Sequence, residues 1–245
     1  MERMDHLWPG GPVFLYDDSL FKPGTDAFLL GAFARPRAGD AVCDLGAGTG
    51  LIGLLLLARE PRLTVHNVEI QAAPLRLAER TARENGLAVC QHLADLRHLE
   101  GILPAGSMDY VVSNPPYFPP GRGAAPQDSS RRTAREEHTC SLEDVCAAAA
   151  RLLRWGGRFA LVHRPERLCD LMVTLRASGL EPKRLQLVQH TAHAAPSLVL
   201  LESRRGGRPS VRVEPPLILR DAEGRETAAV RAIYFRDREH KEGEG

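Results

Sequence analysis

Val111-Val112-Ser113-Asn114-Pro115-Pro116-Tyr117-Phe118 joins an apolar run to an amide, two prolines and two aromatic rings. The run from Met108 to Val112 reads as a strand, and proline cannot continue a central strand, so the strand stops here. Such an end suits chemistry on a planar amine. An amine conjugated to a ring or a carbonyl is a poor nucleophile, because its lone pair is delocalised. Two acceptors aimed at its N–H groups favour the pyramidal, reactive geometry. The Asn114 side-chain oxygen is one candidate, and the Pro115 carbonyl, held by the stiff Pro-Pro step, is the other. Tyr117 offers a face on which a planar group can stack, worth about 1–3 kcal/mol for a base. The bland alternative is a proline-stiffened turn.

A second motif follows an earlier strand, in Cys43-Asp44-Leu45-Gly46-Ala47-Gly48-Thr49-Gly50-Leu51-Ile52-Gly53. Read from Gly48 it is G-x-G-x-x-G with Glu69 about twenty residues on, the form of a dinucleotide fingerprint. Read from Asp44 it is D-x-G-x-G-x-G, and this resembles the cofactor loop of class I S-adenosylmethionine-dependent methyltransferases. Both readings share a physical reason. Small residues let the backbone pass close to a ligand, and a carboxylate on the next strand can accept hydrogen bonds from ribose hydroxyls. Glu69 ends its strand and suits that role. Asp95, just past the third strand, is placed to accept an adenine amine. Asp44 is expected near the amino group of the cofactor's methionine part. Each acid could instead be a helix cap or a solvated turn. Upstream, Phe21-Lys22-Pro23-Gly24-Thr25-Asp26 resembles the segment covering the methionine end of the cofactor in such enzymes. Lys22 would meet the carboxylate, and Thr25 would offer a hydroxyl and an amide at a helix start.

These residues need a frame that brings strand ends together. Strands are expected at 41–45, 63–69, 89–93, 109–113, 158–163, 184–189 and 197–202. Helices are expected at 26–34, capped by Thr25 or Asp26, at 51–59, at 71–85 and at 165–178. Another, opened by Ser141-x-x-Asp144, runs to Leu153 and is ended by Gly156-Gly157. This alternation predicts a doubly wound, mainly parallel seven-stranded α/β sheet, which the resemblance makes a Rossmann-like class I methyltransferase fold. In such sheets ligands sit at the carboxyl ends of strands where the strand order reverses. One domain over 1–235 is expected, with a cofactor-covering segment at about 12–35. Residues 208–235 read as an appended turn and a short helix around Asp221–Gly224, and 236–245 as a charged, disordered tail.

Composition narrows the classes further. The 245 residues are 43% hydrophobic and carry a formal net charge of +1, so any nucleic-acid binding needs a local basic patch. Five scattered cysteines (43, 90, 140, 146 and 169) include no C-x-x-C pair, which fits reduced thiols in a cytoplasmic protein. No metal is expected, since His138 and Cys140 lack a third ligand nearby. Met1 to Gly11 is polar, without a signal-peptide core, and the longest apolar stretch is too short for a bilayer. The oligomeric expectation is a monomer or a weak dimer.

Asn114-Pro115-Pro116-Tyr117 is the pattern of methyltransferases acting on adenine amines or glutamine amides. With 131-RRTAREEH-138, 142-LEDVCAAAARLLRWGGRFALVHRPERLCDLMVTLR-176 and 180-LEPKRLQLV-188, the chain resembles the bacterial valine-tRNA adenine-N6 methyltransferase family from about Phe21 to Tyr234. That resemblance implies S-adenosylmethionine as cofactor and tRNA as partner, with the adenosine 3′ of the anticodon methylated. It assigns the target adenine to Asn114, Pro115 and Tyr117, and the cofactor to Asp44, Gly46, Gly48, Gly50, Glu69 and Asp95. The long stretch 119–139 is expected to be functional or disordered. Beside Phe118, its Arg122, Arg131, Arg132 and Arg135 are candidate RNA contacts, and Arg204, Arg205, Arg208 and Arg212 form a second cluster. Only 43 residues precede Asp44, fewer than the helical domain of release-factor glutamine methyltransferases would need. Protein glutamine methylation is still the runner-up. A nicotinamide-dependent oxidoreductase and a non-catalytic RNA-binding module stand behind it.

Overall fold

The computed structural model describes residues 1–17, 24–117 and 140–238. Its centre is made by near-continuous apolar runs. Val42, Cys43, Leu45, Val65, Val68, Tyr110, Val111, Val112 and Phe159 to Val162 are all at or below 1% exposure. Strands of that kind must be covered on both faces, as in a parallel sheet between helical layers.

The parallel part holds β3 (Ala41–Leu45), β4 (Thr64–Glu69), β5 (Val89–Leu93), β6 (Met108–Ser113) and β7 (Leu153–His163). Antiparallel β9 (Pro196–Arg205) lies on β7, and β8 (Leu180–Gln189) on β9. The long strands run β8-β9-β7-β6-β3-β4-β5 across the sheet. The chain leaves β3 toward β4 and β5, then returns to lay β6 and β7 on the other side, so the order reverses between β3 and β6.

Two-residue strands β10 (Arg212–Val213) and β11 (Leu217–Ile218) pair with β8 and raise the sheet to nine strands, where seven were expected. Such short segments carry no periodicity of their own; the edge of β8 induces them. A separate hairpin of β1 (Glu2–His6) and β2 (Val13–Asp17) fills a segment whose first residues suggested only a polar start. Trp8 is buried against Phe235, with ring centroids 3.9 Å apart.

Helices α1 (Thr25–Phe33), α2 (Leu51–Arg59) and α3 (Ala72–Glu84) cover one face with α6 (Ala228–Ile233). The other face packs on α4 (Leu142–Leu152), α5 (Leu168–Ala177) and the Leu99–Leu103 segment. The hairpin is clamped to α3. Val13 N donates to Asn85 Oδ1 at 2.8 Å, Asn85 Nδ2 donates to Val13 O at 2.7 Å, and Leu15 N donates to Thr81 Oγ1 at 3.1 Å.

Several local expectations change. Helix α1 has Gly24 as N-cap with no side-chain cap, and neither Thr25 nor Asp26 fills that role. It is buried around most of its circumference, not amphipathic, because sheet, α2 and α6 all touch it. The capping box at α4 does form: Asp144 N donates to Ser141 Oγ at 3.1 Å, and Ser141 N to Asp144 Oδ2 at 2.9 Å. That helix ends at Leu152, ahead of Gly156-Gly157. The glycines lie in an arch of β7, which pairs at Leu153 with Met108 and again at Arg158 with Tyr110. A side chain at Gly157 would meet Arg154 O at 2.9 Å, so the arch requires glycine there. A 3₁₀ turn, Pro165–Arg167, precedes α5. The C-terminal short helix follows the Asp221–Gly224 turn instead of surrounding it. Arg236–Arg238 is a 3₁₀ turn, not tail, with Arg236 Nη1 held 2.6 Å from Glu226 Oε2; residues 239–245 lie outside the described residues.

Candidate active site at the ends of β3 and β6

At the switch point β6 is fastened to β3 beyond the backbone ladder, where Ser113 Oγ donates to Leu45 O at 2.8 Å. This bond fixes the step from Ser113 to Asn114 beside the glycine loop. Nothing in the sequence singled out Ser113, whose neighbours mask it as one more strand residue.

The loop after β3 folds back under its own hydrogen bonds. Gly46 N and Ala47 N both donate to Val68 O, at 2.9 and 3.0 Å, and Gly50 N donates to Ala47 O at 2.9 Å. Gly46, Gly48 and Gly50 have φ of 75°, 55° and 76°, a region glycine enters without steric cost. Among the described residues the first two have no atom within 4 Å of a Cβ position, while a Cβ on Gly50 would lie 2.9 Å from both Ala78 Cβ and Asn67 Nδ2. Gly50 is therefore shaped by packing at the start of α2. Gly46 and Gly48 leave open space before the loop.

Glu69 closes β4 with both carboxylate oxygens engaged. Gly48 N donates to Oε2 at 2.9 Å and Gln71 N to Oε1 at 2.8 Å. One acid thus ties the glycine loop to the start of α3 while keeping lone pairs for another donor. Asp44 is its opposite. It is fully buried, and among the described residues neither oxygen has a hydrogen-bond partner. Burial, and then the charge of Glu69, push its carboxyl up to about 8; the Gly53 amide offsets part of this without closing a bond of normal geometry.

Asp95 stands past the end of β5, where Ala94 N bonds Glu69 O at 3.0 Å. Its carboxylate is taken up by Arg97, through the amide at 2.9 Å, Nε at 2.9 and 3.0 Å, and Nη2 at 2.5 Å. Those hydrogen bonds hold the Asp95 carboxyl below its usual range. Thr25 opens α1 with an exposed side chain.

Asn114 and Tyr117 come together as the sequence suggested, with Pro115 buried between them. The Tyr117 hydroxyl lies 2.9 Å from Asn114 Oδ1 and 2.5 Å from Asp26 Oδ2. Asp26, a cap candidate in the sequence, turns its carboxylate to Tyr117 instead. The ring meets His163 at 5.3 Å between centroids, tilted by 55°, and the Arg164 guanidinium lies 5.2 Å from its centre. Burial, and then the Arg167 and Arg164 charges, push His163 down to about 4. Its Nδ1 accepts from Arg164 N at 2.8 Å, so the neutral ring carries its proton on Nε2. His163 ends β7 and Arg164 follows it, and their part in the site depends on β7 lying next to β6. Burial and the Asp26 hydrogen bond raise the Tyr117 phenol well above its usual value.

Lys22, Phe118, Arg122, Arg131, Arg132 and Arg135 lie outside the described residues, as does the stretch 119–139. The second arginine cluster is not at this site. Arg204 and Arg205 end β9, antiparallel to β7, and bond Gly156 O and Leu153 O at the start of β7, the far end of that strand from His163. Arg212 is 3.7 Å from Glu214. Among the described residues no group of three metal-ligating side chains occurs, and no helix is long and apolar enough to cross a membrane.

Comparison with known proteins supplies independent information. The model of the methyltransferase small-domain family matches residues 21–175. A Porphyromonas gingivalis protein named tRNA1(Val) (adenine(37)-N6)-methyltransferase is 35% identical over 193 residues, 74% of this chain and 73% of its own. The protein of the same name from Dickeya chrysanthemi is 31% identical over 227 residues, 89% of this chain and 88% of its own. Among solved structures, a predicted O-methyltransferase, protein Atu636 from Agrobacterium tumefaciens, superposes with a TM-score of 0.70. It is 22% identical and covers 86% of this chain and 96% of its own.

Proposed function

We propose a tRNA adenine-N6 methyltransferase, on the premise that this chain belongs to the methyltransferase small-domain family and, within it, to the tRNA1(Val) (adenine(37)-N6)-methyltransferases. The substrate is the adenosine 3′ of the anticodon in valine tRNA, and the cofactor is S-adenosylmethionine. The observation that carries the reading is the placement of Asn114 and Tyr117 at the switch point, one strand from the open glycine loop and the unpartnered Asp44.

The residues present fit the cofactor. Asp44 is a buried acid without a hydrogen-bond partner among the described residues, and an ammonium group supplies both a charge and N–H donors. Gly46 and Gly48 leave room for close backbone approach, with Gly50 shaping the turn. Glu69 retains lone pairs for ribose hydroxyls, and Asp95, shared with Arg97, borders the adenine position. Thr25 and Lys22 belong to the segment over the methionine end. Bound there, S-adenosylmethionine supplies the electrophilic methyl group.

The remaining work falls to the end of β6. The Asn114 oxygen and the Pro115 carbonyl accept the two N–H bonds of the adenine amine and favour its reactive geometry. Tyr117 holds the ring flat, and base stacking of that kind is worth about 1–3 kcal/mol. Position and electrostatics then carry an in-line transfer. Phe118, Arg122, Arg131, Arg132 and Arg135 are the proposed RNA contacts, holding a base presented out of the stack. A protein of this size reads a structured loop by shape and unpaired bases.

The test incubates the purified protein and labelled S-adenosylmethionine separately with unmodified total tRNA, duplex DNA and a release factor. Mass spectrometry identifies the methylated product. N6-methyladenosine in tRNA alone supports the reading. Methylglutamine in the release factor overturns the substrate, and label in none of the three overturns the activity.

A further inference from the structure

A phenol has one proton, and the Tyr117 oxygen has two close neighbours: Asp26 Oδ2 at 2.5 Å and the Asn114 amide at 2.9 Å. The proton cannot serve both. A hydrogen bond to a carboxylate is shorter and about twice as strong as one to a neutral acceptor, and the Asp26 contact is the shorter here. The hydroxyl therefore donates to Asp26 and turns its lone pairs toward Asn114. Two oxygens facing each other with no proton between them repel. The two ends of a carboxamide fill the same space, so the hydrogen-bond network decides which end faces a neighbour. The amino end of Asn114 then meets Tyr117, and its oxygen is left free on the opposite side.

We propose that Asp26 is a positioning residue: through the Tyr117 hydroxyl it orients the Asn114 amide so that the Asn114 oxygen faces the target amine. This rests on reading Asn114 as the amine acceptor. The contact joins two distant parts of the chain, since Asp26 stands in the first turn of α1, 91 residues before Tyr117. The Asp26 carboxylate caps no helix, leaving it available for this contact. Burial and Asp26 also keep Tyr117 protonated throughout the neutral range, so the order of donors persists.

In Asp26→Ala the Asn114 oxygen is the remaining acceptor for the phenol proton among the described residues, and that bond takes the oxygen away from the substrate. We expect kcat to fall about 10- to 100-fold, the effect of one misdirected buried hydrogen bond. The tRNA KM and the cofactor Kd stay within about threefold. Tyr117→Phe keeps the stacking face and removes the proton, so its loss is smaller. The double variant Asp26→Ala/Tyr117→Phe recovers activity to the level of Tyr117→Phe alone. Additive losses, or a rise in cofactor Kd with unchanged kcat, would overturn the proposal.

A second readout is independent of catalysis. In the ligand-free full-length protein, the Asn114 side-chain NH₂ resonances should exchange slowly with solvent. They should lose that protection in both Asp26→Ala and Tyr117→Phe. Unchanged exchange in Asp26→Ala overturns the orientation whatever the substrate proves to be, whereas a wild type inactive on tRNA overturns only the substrate.

Discussion

Asp44 and Glu69 end adjacent parallel strands, and one has everything the other lacks. Glu69 receives a backbone N–H on each oxygen, from Gly48 and Gln71, while Asp44 is wholly buried with neither oxygen partnered among the described residues. The contrast makes Asp44 a source of instability in the ligand-free protein. Its carboxyl is pushed up to about 8, against roughly 3.9 in an unfolded chain. Between about pH 4 and pH 8 the folded protein keeps a proton that the unfolded chain releases. Stability therefore falls as pH rises through that window and levels off above it. Asp44→Asn should remove this slope and raise the ligand-free stability at pH 8 by ~1–3 kcal/mol, seen as a higher urea midpoint. The same variant should weaken cofactor binding by about tenfold or more, the worth of a charge-assisted hydrogen bond.

The loop glycines should separate by function. Gly46→Ala meets no neighbour among the described residues, so it costs the left-handed backbone strain, about 1–2 kcal/mol. Its methyl projects into the space assigned to the cofactor, and calorimetry should show the larger loss there. Gly50→Ala meets Ala78 and Asn67 at 2.9 Å and should lose a further ~1–3 kcal/mol from overpacking. An equal stability loss in the two would contradict this division.

Asn114→Ala removes the side-chain acceptor without touching the loop. Methyl transfer should fall by a factor on the order of 10²–10³, the cost of deleting one preorganised polar group. Cofactor affinity should stay within a few fold. Parallel loss of binding and activity would place Asn114 in cofactor binding.

Arg184 fixes the far end of the helix that carries Asp26. Its Nη2 donates to Phe33 O at 2.5 Å and lies 3.3 Å from Glu202 Oε2, and the guanidinium sits 4.0 Å from the centre of the Phe33 ring. Glu202 also accepts the Tyr110 hydroxyl. Removing the arginine leaves Glu202 with the Tyr110 hydroxyl and the Arg158 guanidinium 3.9 Å away, and leaves Phe33 O without its donor, so Arg184→Ala should destabilise by about 1–3 kcal/mol. Adding Glu202→Gln should cost less than the two single losses summed, a non-additivity that denaturant titration would reveal.

Much of this was legible in the sequence because it is local. The apolar run 41–45, the spacing of Gly46, Gly48 and Gly50, the Ser141–Asp144 capping box and the proline stop after Ser113 each depend on neighbouring residues. Their periods and backbone preferences gave four of the seven long strands to within a residue or two and put Asp44, Glu69 and Asn114 at strand ends; β7 was expected from Arg158 and begins at Leu153, because its glycine arch interrupts the apolar pattern. Strands β8 and β9 were read as six residues each and are ten, since antiparallel pairing extends them past their apolar cores.

What the sequence could not supply is partnership between distant segments. That Asp26 would serve Tyr117, that His163 and Arg164 would flank its ring, and that Ser113 would hold β6 to β3 all depend on which strands become neighbours. So do the Trp8–Phe235 stack and the two short strands on the β8 edge. The sequence alone determined the alternation of elements and the residue types at their ends. The tertiary structure decided which end meets which, because a hydrogen bond across 91 residues leaves no local pattern in the chain.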